Sequence, residues 1–241
     1  MTSYAGRGVH GQVVELLGSR IVAGETGEGA TLDLRELAAE LDISLTVIRE
    51  SLKVLAGKGL VAARQKRGTY VRPHTEWNFL DADVIRWRIA GGKGDALLRD
   101  LGELRAIVEP AAVRCAAQRR TDEDLRALEE ALAAMSAAGD DASAAAAADT
   151  AFHRALLAAS GNGMLARLDR LLEPGLRARD RLVHARREAD DPVPSHRAVL
   201  DAVRARDEDR AAAAMLDLLA KSDADLDLAR PHPDGAAPLL R

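Results

Sequence analysis

A single cysteine, Cys115, cannot close a disulfide within this chain of 241 residues, so a disulfide-framed extracellular scaffold is excluded. Aromatic residues supply only 2% of the chain, which argues against a β-sandwich or barrel drawing on Tyr, Phe and Trp. No apolar run reaches the roughly 18 residues needed to cross a bilayer, and Met1–Gly24 lacks the basic-then-apolar layout of a signal peptide. These absences lead to the expectation of a cytoplasmic protein with no membrane partner. Hydrophobic residues still make up 47%, many of them Ala, the best helix former and one that lets backbones approach. A mostly α protein of one large or two small domains is expected.

The formal net charge of -4 is unevenly spread. Residues 1–72 carry 10 Lys and Arg against 8 Asp and Glu, whereas the remainder carries 24 against 30. Within the first part, Arg49, Lys53, Lys58, Arg64, Lys66, Arg67 and Arg72 face one acid, Glu50, between positions 49 and 72. Such a window is either a polyanion-binding surface or a solvated basic face.

Val9–Ala23 has helical spacing of Val13, Leu16, Leu17 and Ile21. A short helix, Leu34–Leu41, follows a glycine-containing loop. Ser44 is a good N-cap for a third helix, Leu45–Ala56, which Gly57 can end in the left-handed conformation. Leu60–Arg64 and Thr69–Arg72 read as strands joined by a basic turn and stopped by Pro73. Helix, helix and basic hairpin is the order of a winged helix-turn-helix; the other reading is an incidental helix–helix–hairpin module. The start of the third helix puts Ser44, Thr46 and Arg49 within reach of base edges and phosphates in a major groove, with Lys53 further along. Lys66 and Arg67 at the hairpin tip, with Gly68 allowing close approach, suit the DNA backbone or the minor groove.

Leu37–Pro73 contains S-x-T-x-x-R-E-x-L, then L-x-x-x-G-L-V, then Q-x-x-G-T-x-V, and resembles the DNA-binding domain of the GntR family of bacterial transcription regulators. The resemblance implies DNA contacts at Arg35, Thr46 and Arg49, with Gly68 at the wing tip. Two positions depart from the family pattern: Leu45 stands where an arginine is frequent, and Asp42 where a glycine is common in the turn.

Beyond Pro73 lies a connector containing WNFLDADVIRW, whose Trp77, Phe79 and Trp87 are expected to form an aromatic cluster between connector and bundle. Helices are then expected over Asp95–Arg119, Glu123–Ala138, Ser143–Ala159, Met164–Arg187, His196–Ala205 and Glu208–Leu228, with Thr121, Ser195 and Asp207 as N-caps. The organisation read from the chain is a DNA-binding domain over residues 1–73, a linker and connecting helix over 74–94, a helical domain over 95–229, which the resemblance named next makes effector-binding, and a flexible tail over 230–241. LRAIVEPAAVRCAA, DTAFHRALLAASGN and SHRAVLDAV resemble the all-helical FCD effector-binding domain of FadR-type members. The connector is similar to that of repressors of galactonate and other sugar-acid operons.

Asp149 and His153 are four residues apart, about 40° around a helix and about 6 Å along it, so they can converge on one ion or form an ordinary surface pair. The FCD resemblance implies that Asp149, His153 and His196 are metal ligands, while the fourth ligand, a histidine three residues after a methionine, is here Leu218, following Met215. The implied cofactor is a divalent metal: zinc first, with nickel and manganese as alternatives. Arg105 matches an arginine facing the ligand cavity, where its fork suits the carboxylate of a small organic or sugar acid; the other reading is a surface pair with Glu109. His10, His74, His184 and His232 show no such convergence and are read as surface residues, and Cys115 as a small core filler. The expected protein is a homodimeric repressor of an inverted-repeat operator on double-stranded DNA, and not an enzyme. The alternatives are a metal-dependent helical enzyme acting on a small carboxylate, and a helical interaction protein.

Overall fold

The computed structural model describes residues 8–184 and 191–229. The chain divides into two compact units, residues 1–97 and 98–241. Among the described residues the fold is mostly α with one three-stranded sheet. None of the described helices is long and apolar enough to cross a membrane.

In the first unit, α1 (Gly8–Ala23) buries Val13, Val14, Leu17 and Ile21 against α3 (Leu45–Gly57), which contributes Ile48, Leu52 and Leu55. Between them lies α2 (Leu34–Glu40), capped by Asp33, whose carboxylate accepts from Arg35 N at 2.7 Å and Glu36 N at 3.2 Å. The α2–α3 turn closes with Ile43 N donating to Ala38 O and Asp42 N to Ala39 O, a reverse turn that places Asp42 at φ +51°. That left-handed geometry is why glycine suits this position. Gly59, not Gly57, ends α3: it takes φ +79°, while Gly57 remains the last helical residue. A Cβ on Gly59 would lie 2.6 Å from Glu76 O.

The sheet order is β1 (Thr31–Leu32), β3 (Gly68–Val71), β2 (Val61–Arg64), antiparallel throughout, with Val61 opposite Val71 and Arg64 opposite Gly68. The two-residue β1 carries too little periodicity to be read from sequence. The connector continues as a 3₁₀ turn (His74–Glu76), α4 (Ala82–Arg88) and a π-helical turn (Ile89–Lys93) broken by Gly92 at φ +75°. Its aromatics correct the sequence expectation: Trp87 is buried in the core of the head, with Trp77 and Phe79 packed against it. The Trp87 ring lies where a Cβ on Gly18 would be, 2.3 Å from the nearest ring carbon, and its indole donates to Glu15 at 2.9 Å.

The second unit begins within α5 (Gly94–Arg119), at Leu98. It continues through α6 (Asp122–Ala137), α7 (Ala142–Ala159), a 3₁₀ turn (Leu165–Arg167), α8 (Asp169–His184), α9 (Val193–Arg204) and α10 (Glu208–Ala229). Thr121 and Asp124 form a capping box at α6, and Asp207 accepts from Arg210 N at the start of α10. Ser195 is not an N-cap: α9 starts at Val193, and the Ser195 hydroxyl turns back onto Pro192 O at 2.9 Å. Pro194, in the first turn, needs no amide partner there. Leu, Ala, Val and Met from α5, α6, α7, α9 and α10 fill the core around Phe152. Cys115 is half-buried, and the 230–241 tail lies outside the described residues.

Candidate functional site

The outward face of α3 is polar because its inward face holds the core. Ser44, Thr46, Arg49 and Lys53 are exposed while Ile48, Ser51, Leu52 and Leu55 are buried. The Ser44 hydroxyl caps the helix by accepting from Val47 N at 3.3 Å. Lys53 pairs with Glu50 at 2.7 Å, leaving Arg49 as the more available cation of the helix. Arg35, at the start of α2, is exposed, as are Lys66, Arg67 and Gly68 at the wing. Lys66 takes φ +68° and Gly68 φ +81°. Arg67 folds back, its guanidinium 4.0 Å from the Tyr70 ring centroid and donating to Gly29 O at 3.0 Å.

Lys58 does not belong to this basic surface. It is 1% exposed, and its ammonium donates to Asp81 at 2.9 and 3.0 Å and to Asp83 at 2.8 Å. Burial alone would lower its pKa; the hydrogen bonds it donates to Asp83 and Asp81 outweigh that and raise it. Arg72 is likewise committed, to Glu76. The charge available to a polyanion is therefore smaller than the count along the chain.

In the second unit α7 presents Asp149 and His153 and α9 presents His196, all three buried. Their ligand atoms lie within 4.8 Å of one another. Asp149 Oδ1 is 3.1 Å from His196 Nε2 and 3.7 Å from His153 Nε2. His196 Nδ1 is 2.8 Å from the acceptor Pro192 O, which orients the ring and turns Nε2 toward Asp149. His153 Nδ1 faces Glu109 Oε2 at 2.8 Å, a close ion-pair separation without hydrogen-bond alignment. One carboxylate and two imidazoles, each with a ring nitrogen turned inward, are a donor set that fits a divalent metal. Leu218 is buried in the hydrophobic core, so the described residues offer three ligands.

Arg105, from α5, is 5% exposed. Its Nε donates to Glu109 Oε1 at 2.7 Å, while Nη2 lies 2.9 Å from His153 Nε2. The pair with Glu109 is thus buried, not a surface contact. Arg179 escaped the sequence reading, and Glu109 entered it only as the partner of Arg105 in a surface pair. Burial pushes the Glu109 carboxyl up, but Arg105 and His153 pull it down to about 2. Asp149 is held well below the usual carboxylate range, burial opposing and His153, Arg179 and His196 prevailing. Arg179, from α8, sits 3.5 Å from Asp149 Oδ2 and hydrogen-bonds the Ser222 hydroxyl. Beside Arg105 and Arg179 a small cavity of about 20 Å³ is bordered by Gly102, Gly175, Leu101 and Asp223. His74 is exposed beside Glu28 at 2.8 Å and His10 is half-buried; neither is near the centre in sequence or grouped with a metal cluster, while the His184 side chain and His232 lie outside the described residues.

Residues 10–71 match the gntR family of bacterial regulatory proteins, and residues 100–221 match the FCD domain. The chain belongs to the GntR family, in its FCD-containing branch. This regulator is 35% identical over 214 residues to the galactonate operon transcriptional repressor of Escherichia coli, covering 88% of this chain and 93% of that one. It is 33% identical to the HTH-type transcriptional repressor NanR of Salmonella newport, covering 83% and 78%. The solved structure of a Streptococcus agalactiae GntR protein superposes with a TM-score of 0.51 at 27% identity, covering 90% of this regulator and 100% of that chain. Both domains are those of a DNA-binding transcription regulator and not of an enzyme.

Proposed function

We propose that this regulator is a cytoplasmic repressor that binds an inverted-repeat operator as a two-fold dimer and answers to a small hydroxy acid, in the sugar-acid class, at a metal held by Asp149, His153 and His196. The observation that carries the effector half is the convergence of those three buried side chains beside the Arg105 guanidinium. A bound zinc, nickel or manganese ion would supply a Lewis-acid site for a carboxylate and an adjacent hydroxyl. Three protein ligands leave coordination positions for those oxygens, and Arg105 suits the carboxylate by its fork geometry. The name of the galactonate operon repressor supports the effector class, and both names support the sense of regulation.

On the DNA side, Arg35, Ser44, Thr46, Arg49, Lys53, Lys66, Arg67 and Gly68 form the reading surface, with Arg49 the principal base or phosphate contact. One winged head reads few base pairs, so specificity calls for two heads on one duplex. The test is operator binding by the purified regulator with and without metal, titrated with galactonate and related acids, alongside light scattering for mass. A metal-free protein that responds fully to acid, or a monomer with full operator affinity, would refute the corresponding half.

A further inference from the structure

We infer that the head carries a second small-molecule site, a cavity between the end of α1, the 3₁₀ turn His74–Glu76 and α4 that takes a planar aromatic carboxylate. Every residue lining it belongs to the first compact unit, so the site is independent of Asp149, His153 and His196.

The cavity has a volume of about 300 Å³, at the lower end of the range of small-ligand sites. Much of its wall is apolar: Ile21 and Val22 from the last turn of α1, with Trp77 and Phe79 from the connector. The Trp77 indole N–H donates to Arg72 O at 3.0 Å, so the rest of that ring presents only carbon. Gly24 and Gly27 contribute backbone alone, which leaves the space open.

Two charged groups of opposite sign line this wall. Glu28 is engaged, since it accepts from the His74 amide at 2.9 Å and lies 2.8 Å from His74 Nδ1. Arg88, in the last turn of α4, is half-buried. Among the described residues its guanidinium has no carboxylate partner and rests 4.4 Å from the centre of the Phe79 ring. A half-buried cation on an aromatic face has lost part of its water yet keeps a planar fork of donors, which a carboxylate matches with two hydrogen bonds. The hydroxyls of a sugar acid would lose water against Ile21, Val22, Trp77 and Phe79 without gaining partners there. An aromatic ring against those side chains, with its carboxylate on Arg88, satisfies both parts of the wall.

The loop that borders the cavity also anchors the wing. Gly29, next to Glu28, donates to Val71 O at 2.9 Å and accepts from Arg67 at 3.0 Å. An acid in the cavity therefore bears on the hairpin and, through it, on operator affinity.

The experiment uses the full chain and ligand-observed NMR, with cinnamate as the probe and its neutral isostere cinnamamide as the control. Cinnamate should saturate the site, and Arg88→Gln should weaken it about tenfold, the scale of one charge-assisted hydrogen bond, while cinnamamide binds both proteins alike. Thr26→Glu, which adds a like charge to the cavity wall, should weaken cinnamate by a similar factor and keeps the test open should Arg88→Gln fail to fold. Galactonate in excess should leave cinnamate binding unchanged, and so should His153→Ala. Saturating cinnamate should shift the operator affinity of the wild type several-fold. Absence of saturable binding at millimolar cinnamate, equal affinity in the wild type and Arg88→Gln, or displacement by galactonate overturns the site. Tighter binding of cinnamylamine than of cinnamate would give the cavity to cations through Glu28 and overturns the assignment of an acid. Operator affinity unmoved by saturating cinnamate overturns the link to the wing.

Discussion

Lys58 Nζ lies 2.8 Å from Asp83 Oδ2 and 2.9 Å from Asp81 Oδ1, with 1% of the lysine side chain exposed. Lys58 caps the C-terminus of α3, and Asp81 also caps α4 by accepting from Asp83 N and Val84 N. The end of α3 is therefore tied to the start of α4. Removing one member of a buried ionic cluster strands the others, so Lys58→Ala should cost about 3–5 kcal/mol. Urea unfolding measures this, and a change within 0.5 kcal/mol, the order seen at exposed sites, would show that the cluster is not buried.

The glycines at the end of α3 have opposite expectations. Gly57→Ala should stabilise by about 0.5–1 kcal/mol, because the residue is helical and a Cβ there meets nothing within 4 Å. Gly59→Ala should destabilise the head by more than that, through both its positive φ and the clash with Glu76 O. Asp42→Gly should raise stability by up to about 1 kcal/mol by relieving the left-handed turn. Thermal unfolding of the three variants decides the matter.

Operator titrations separate reading from anchoring. Arg49→Ala should lose about 1–3 kcal/mol of specific binding, while Lys66→Ala should weaken all sequences alike and reduce the salt slope by about one. Arg67→Ala should also loosen the wing, since Arg67 holds Gly29 O and Tyr70. Unchanged operator affinity in Arg49→Ala would remove α3 from the interface.

The hydrogen bond from Arg86 is the main reason the Glu15 carboxyl lies below its usual pKa, with Trp87 adding a second bond against the opposing effect of burial. A depressed carboxylate stabilises the fold above its unfolded pKa of about 4.3 and loses that contribution as the pH falls through the lower folded value. The head of the wild type should therefore lose more stability below about pH 4 than Glu15→Gln does. Chemical unfolding at several pH values tests the difference.

His153→Ala should lose metal and acid response together yet keep basal operator affinity, because the reading surface belongs to the other compact unit. Metal content and operator titration of the same preparation provide the check.

Local pattern was enough for the helices, the wing and several caps. The apolar spacing of Val13, Leu17 and Ile21, Thr121 ahead of α6 and the basic turn before Gly68 are short-range signals, and each matches an element of the structure. The Asp42 departure was also legible, because one φ angle explains it. What the sequence could not convey were the partners of side chains far apart in the chain. Lys58 counted as a surface cation until Asp81 and Asp83, 23 and 25 residues away, enclosed it. Gly57 and Gly59 differ in φ and in which one meets the backbone of Glu76, and neither can be read from two glycines in sequence. Asp149 and His153 were readable as a helical pair, but only packing brought His196 and Arg105 to them from α9 and α5. Periodicity determined which faces turn inward; the charges enclosed there, and therefore the chemistry available to them, were decided by long-range packing, since burial makes every enclosed charge require a partner.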